Sequence, residues 1–146
     1  MKRSANISQR RGQIIVHPWA FTTMGVLVAS EPYRVLSGGV SNEDLGDAVL
    51  RALAEAGETI LHPAQDQWDA VSQSFLNAAG VASWRAYMKG ARSCDADRSG
   101  DDIVIKPSRN DGRGFEGIKG AEVRIPNNSV AEVVGRAARQ ALDMSE

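Results

Sequence analysis

The sequence holds one cysteine, Cys94, so no intramolecular disulfide can form, and a lone thiol suits a reducing compartment better than a secreted one. No stretch approaches the roughly 20 apolar residues that cross a bilayer as a helix. The longest run, Met24 to Ala29, is broken by Gly25. The N-terminus is charged and lacks the apolar segment and small-residue cleavage site of a signal peptide. A cytoplasmic protein, neither inserted nor exported, is expected. The two histidines, His17 and His62, are each followed by proline, and neither has a second histidine or cysteine at metal-ligand spacing. No GxSxG, HExxH or Walker loop is present, nor a carboxylate pair in a catalytic context. No metal, no cofactor and no enzymatic activity are therefore expected. A formal net charge of −1 gives no global field toward nucleic acid or membrane.

With 146 residues and 42% hydrophobic composition, the chain is long enough to bury a single core without covalent staples. Residues 1–12 read as a flexible polar arm and 13–146 as one α/β domain. Strands are predicted at Gln13–Val16, closed by His17-Pro18, then Phe21–Ser30 and Tyr33–Leu36. Ser41, with Asp44 three residues on, has capping-box spacing. The helix it opens carries Leu45, Ala48, Val49, Ala52, Leu53 and Ala56 on one face and stops at Gly57. Trp68, Val71, Phe75, Leu76 and Ala79 repeat the helical period, and Trp84, Tyr87 and Met88 suggest a further turn or two. Arg92–Asp95 and Ile103–Lys106 then read as a hairpin, with Pro107 ending its second strand. Ser108–Gly120, with four glycines, reads as a mobile loop. A last strand, Glu122–Ile125, leads to a helix capped by Ser129. The fold class expected is a mixed, mainly antiparallel sheet of about five or six strands with helices on at least one face.

The last unit resembles the first. Gly46-Asp47-Ala48 and Ala52-Leu53 are matched 89 residues later by Gly135-Arg136-Ala137 and Ala141-Leu142. Glycine inside a helix costs about 0.5–1 kcal/mol relative to alanine, so two equivalent ones suggest a close approach, here of helix to sheet.

Other patterns carry little chemistry. Gly112 to Gly117 matches a bare GxGxxG, but a dinucleotide site needs a strand before it and a helix after it. Asp95-Ala96-Asp97-Arg98-Ser99-Gly100 imitates the start of a calcium loop, yet the twelfth position is Lys106, where calcium needs a glutamate. Lys2, Arg3, Arg10 and Arg11 make a short basic arm without an aromatic platform, so no direct nucleic-acid partner is expected. The acidic charge is concentrated in the middle: residues 41–102 carry eleven acidic and five basic side chains. Such a region is either a solvated face or a docking surface for a basic partner.

Asn42-Glu43-Asp44-Leu45-Gly46 with Ala52-Leu53, Ser83-Trp84, Cys94, Ile103-Val104-Ile105-Lys106-Pro107-Ser108 and Gly135 with Ala141-Leu142 occur in that order. Over residues 13–143 this series resembles the immunity proteins of bacterial contact-dependent growth inhibition (CDI) systems. The resemblance implies a cytoplasmic protein that binds and blocks the C-terminal toxin domain of a large exoprotein, as a one-to-one complex. Many such toxins are nucleases with basic clefts, which an acidic surface would match. The family pattern assigns no interface residues. On chemistry alone the candidates are Asp95, Asp97, Asp101 and Asp102 on the hairpin, with Glu43, Asp44 and Asp47 at the helix start. Two other readings stay open: a small enzyme using Cys94 or a histidine, and a regulatory module binding a small ligand in the glycine-rich loop.

Overall fold

The computed structural model describes residues 2–146. Among these, the elements run β1 (Arg3–Arg10), β2 (Gln13–Thr22), β3 (Leu27–Ala29), β4 (Arg34–Ser37), α1 (Asn42–Glu55), β5 (Thr59–Ile60), a 3-10 turn (Gln65–Gln67), α2 (Trp68–Ala79), α3 (Trp84–Met88), β6 (Arg92–Ser99), β7 (Asp102–Asn110), β8 (Phe115–Gly117), β9 (Val123–Pro126) and α4 (Ala131–Met144). The sheet is mixed and mainly antiparallel, as expected, with β2–β5 its one parallel pair among the described residues. Its backbone order is β4-β2-β1-β6-β7-β9, with β3 and β8 continuing beyond β4 and β9 along β2 and β7.

The N-terminal segment corrects the reading of residues 1–12 as a flexible arm. Met1 lies outside the described residues, but Arg3–Arg10 is a central strand, paired on both sides by β2 and β6. Its alternation explains the error. Ala5 and Ile7 enter the core, whereas Ser4, Asn6 and Ser8 are buried on the opposite face, so a central strand reads as polar.

Both proline-based strand ends are also corrected, because β2 runs through Pro18 and β7 through Pro107. Each proline sits where its strand changes outer neighbour, β4 to β3 and β9 to β8. The carbonyls of Pro18 and Pro107 accept from Ser30 N at 3.0 Å and Ile118 N at 2.9 Å on that outer edge. A proline nitrogen facing the same gap has no ladder bond to lose. The run Phe21–Ser30 is split into β2 and β3 by a turn at Gly25, whose φ is +80°. Within the expected mobile loop, β8 pairs with the end of β7.

The two halves of the chain share one plan. The starts of β1 and β6, β2 and β7, β4 and β9, and α1 and α4 fall at residues 3 and 92, 13 and 102, 34 and 123, and 42 and 131, a constant offset of 89. The register pairs Asn6 with Asp95, which are themselves 89 apart, so these two residues mark the pseudo-twofold axis relating the halves. Among the described residues, the first half is followed by a segment carrying β5, α2 and α3 before the second half begins.

On one face α1 and α4 lie together over β1, β2, β6 and β7. Leu45, Val49, Leu53, Val134, Ala138 and Leu142 cover Ile7, Ile14, Val16, Cys94, Ile103 and Ile105. Ser41 caps α1 as expected, accepting from Asp44 N at 3.1 Å. Ser129 does not cap α4: its hydroxyl donates to the Pro126 carbonyl at 2.6 Å, and Val130 stands at the N-cap without a side-chain bond. The close approach expected at Gly46 and Gly135 is of helix to helix, not helix to sheet. A Cβ on Gly46 would run into the Ala131 carbonyl and lie 2.8 Å from Gly135 N, and one on Gly135 would lie 2.6 Å from the Asn42 carbonyl carbon. On the other face α2 and α3 place Phe75, Leu76, Ala79 and Tyr87 with Ile15 and Ala91 in a second, smaller core.

Candidate functional site

The second face is incompletely filled. Between the sheet and α2–α3 an open cavity of about 530 Å³ remains. Its walls are Trp19, Trp68, Phe75, Trp84, Tyr87 and Phe115, and its floor holds Asn6, Ser8, His17, Ser93 and Asp95. Helical spacing on α2 and α3 points Trp68, Phe75, Trp84 and Tyr87 toward the sheet. Their rings pack largely edge to face, Phe75 against Tyr87 at 5.0 Å and against Trp84 at 5.7 Å, and Trp84 stacks on Tyr87.

The polar floor is a consequence of strand alternation. Cys94 and Ala96 on β6 enter the main core, so Ser93, Asp95 and Asp97 face the other way. Asp95 Oδ1 accepts from Asn6 Nδ2 and from Trp19 Nε1, each at 3.0 Å. Asn6 Nδ2 also donates to Ser93 Oγ at 2.8 Å, and Ser8 shares a 2.6 Å hydrogen bond with the Tyr87 hydroxyl. Burial pushes the Asp95 carboxyl above its ordinary range, against the lowering effect of its two donors.

Asp97, one pleat along, is differently served. It accepts from Ser4 Oγ at 2.6 Å and pairs with Lys106 at 3.0 Å and Lys2 at 3.4 Å. Desolvation pushes its carboxyl up, but these hydrogen bonds and cations outweigh it and leave the group below its ordinary value. His17 is buried, with Trp19, Tyr33 and Phe75 edge-on around it. A carbonyl only accepts, so His17 Nδ1 carries the proton it donates to Pro18 O at 2.9 Å. Desolvation lowers the ring to about 4, and His17 is neutral at pH 7.

The seven candidate carboxylates therefore do not form one surface. Glu43, Asp44 and Asp47 are exposed on the first turns of α1, Asp47 pairing with Arg51 at 2.8 Å. Asp101 and Asp102 sit at the β6–β7 turn, Asp102 paired with Arg124 at 2.8 Å. Asp95 and Asp97 lie on the opposite face of the sheet from α1. Sequence reasoning missed the cavity floor because it treated β1 as an arm. The signal available was the period-two pattern of Ser4 to Ser8, matched 89 residues later by Ser93 to Asp97.

Cys94 is fully buried between sheet and α4, and desolvation raises its thiol well above the usual value. The sheet lies between it and His17, while His62 bonds Thr22 Oγ1 at 2.9 Å at the sheet margin. Among the described residues no three His, Cys, Asp or Glu side chains are placed to hold a metal ion. No helix among them is long and apolar enough to cross a membrane.

Fold and site together define an α/β domain with a pseudo-symmetric sheet, one closed core and one open, aromatic-walled face. More particularly, the family model of the CDI immunity proteins matches residues 3–145, and the chain belongs to that family. Its fold is similar to that of a Neisseria meningitidis protein of unknown function, with a TM-score of 0.82 at 20% identity over 100% of this chain and 96% of that one. It is also similar to a chain in a toxin and immunity complex from Yersinia pseudotuberculosis, with a TM-score of 0.81 at 20% identity over 100% of this chain and 98% of that one. No curated protein matches the chain.

Proposed function

We propose that this immunity protein acts in the cytoplasm by binding the C-terminal toxin domain of a CDI exoprotein one to one, and that the toxin is a nuclease. The family match over residues 3–145 carries the reading. The toxin and immunity complex of the Yersinia pseudotuberculosis neighbour supports it. The chemistry asked of the chain is occlusion, not turnover, and neither Cys94 nor the histidines are arranged for nucleophilic work.

A nuclease presents a basic cleft, and exposed carboxylates raise the encounter rate with such a surface. Five of the seven candidates are open to that role: Glu43, Asp44, Asp47, Asp101 and Asp102. Asp97 is neutralised locally by two lysines, and Asp95 lies within the cavity.

The test is titration of a cognate CDI toxin domain with this chain, with nuclease activity as the readout. Inhibition complete at one equivalent is expected. Continued loss of toxin activity at sub-stoichiometric amounts would indicate turnover and sink the reading. Replacing the five carboxylates by their amides should slow association about tenfold at low salt and flatten its salt dependence, with the fold retained. An unchanged association rate would remove these carboxylates from the interface.

A further inference from the structure

All three tryptophans of the chain line the single cavity described above, together with one carboxylate, Asp95. Two aspects of that carboxylate go beyond what the fold requires. Its Oδ1 takes both structural hydrogen bonds, from Asn6 and Trp19, while Oδ2 has no hydrogen-bond partner among the described residues. Nor does any lysine, arginine or histidine nitrogen of those residues come within 4.0 Å of it. Lys106, its cross-strand neighbour in the register, turns instead to Asp97. The cavity thus sets a carboxylate with no directly paired cation, Lys106 acting on it only from beyond contact distance, at the bottom of a cup of aromatic rings.

Aromatic faces and a carboxylate attract the same kind of guest. The ring quadrupole favours a cation within about 6 Å of the centroid, and most strongly over tryptophan. A charge-assisted hydrogen bond to the free carboxylate oxygen fixes the guest's orientation. The volume, about 530 Å³, lies within the range of small-molecule sites and exceeds what one inserted side chain fills. We propose that this cavity is a binding site for a free small organic cation, an ammonium or amidinium group carried on a planar apolar body. The group meets Asp95 Oδ2 while the body lies between the tryptophans. Phe115, from the glycine-rich segment, supplies part of the wall, so β8 orders one side of the site. The proposal is independent of toxin binding.

Benzamidinium and its neutral counterpart benzamide are suitable probes, because they differ in charge at nearly constant shape. Titration of the full chain is followed by calorimetry and by tryptophan emission, which reports the cavity because every tryptophan lines it. Saturable binding of benzamidinium is expected, with benzamide at least about tenfold weaker. Asp95→Asn keeps an Oδ1 acceptor for Asn6 and Trp19, and it should weaken benzamidinium about tenfold while leaving benzamide unchanged. Ser72 is exposed at the cavity lining, so Ser72→Trp should block both probes without disturbing the core, whether or not the Asp95 variant folds. Equal affinity for the two probes, no saturable binding of benzamidinium, or unchanged binding to the Ser72→Trp chain would each overturn the proposal. So would binding of an arginine-containing peptide but of neither free probe, since the occupant would then be a side chain of a protein partner.

Discussion

Replacing Gly46 by alanine tests the central packing feature of the fold. The α-hydrogen that stands in place of a side chain on Gly46 faces the backbone of α4, where a Cβ would run into the Ala131 carbonyl and stand 2.8 Å from Gly135 N. Neither obstacle is the end of a flexible side chain, so relief requires α1 and α4 to separate by about an ångström or more. Overpacking of cores that adjust by side-chain motion costs about 1–3 kcal/mol, and rigid backbone on both sides puts this case at the top of that range. The intrinsic helix preference of alanine returns about 1 kcal/mol. The net expectation is a loss of about 2 kcal/mol or more, measured by urea unfolding with tryptophan emission and far-ultraviolet dichroism. Asp47→Ala, one residue along on the exposed side, should stay within about 0.5 kcal/mol. The axis adds a second expectation. Gly135→Ala pushes the same two helices apart, so the double variant should lose less than the sum of the single losses. A Gly46→Ala protein as stable as the parent, or more stable by the helix-preference increment, would refute the backbone-contact account of both glycines.

His17 predicts a pH dependence. Its folded pKa of about 4 lies below the ordinary 6.5, so as pH falls from 6.5 toward 4 the unfolded chain takes up a proton that the folded chain does not. Stability should drop across that window by up to about 3 kcal/mol, and His17→Phe should flatten the drop; parallel curves for the two proteins would contradict the assignment. Asp97 works with the opposite protonation. Its lowered carboxyl stabilises the fold above the unfolded value near 4, and that contribution is lost as pH falls through the folded pKa. Asp97→Asn should therefore cost about 1 kcal/mol at pH 7, the solvent-exposed lysines limiting the loss, and the cost should shrink as pH falls through the folded pKa, by the same unfolding assay.

The elements whose neighbours are nearby in sequence were readable from residue pattern: α1 from its cap and apolar stripe, α2 from Trp68 to Gly80, and the β6–β7 hairpin. The helix signal in Gly46 and Gly135 was also visible, but its partner was not. A glycine announces a close approach without saying to what, and only the packed structure shows that each faces the other helix. The strand β1 was illegible for a different reason. Its buried polar residues, Ser4, Asn6 and Ser8, find their partners 79 to 93 positions away in Tyr87, Ser93, Asp95 and Asp97. A polar side chain satisfied only by a distant segment looks, in one dimension, like one that belongs in water.

The internal repeat connects that hidden strand to the cavity. In a sheet built from two equivalent halves, the central strands β1 and β6 meet across the axis, and equivalent positions there are forced to be neighbours. Asn6 and Asp95 are one position of the repeat seen twice, one amide and one carboxylate, joined by a 3.0 Å hydrogen bond. Had both been carboxylates, the pair would have repelled across a buried ladder. On the α1–α4 face the symmetry is kept, helix against helix and glycine against glycine. On the other face it is broken among the described residues, where one segment from β5 to α3 covers only part of what two copies would have covered. The open cavity with Asp95 on its floor is what that asymmetry leaves, on the face that the repeated helices do not occupy.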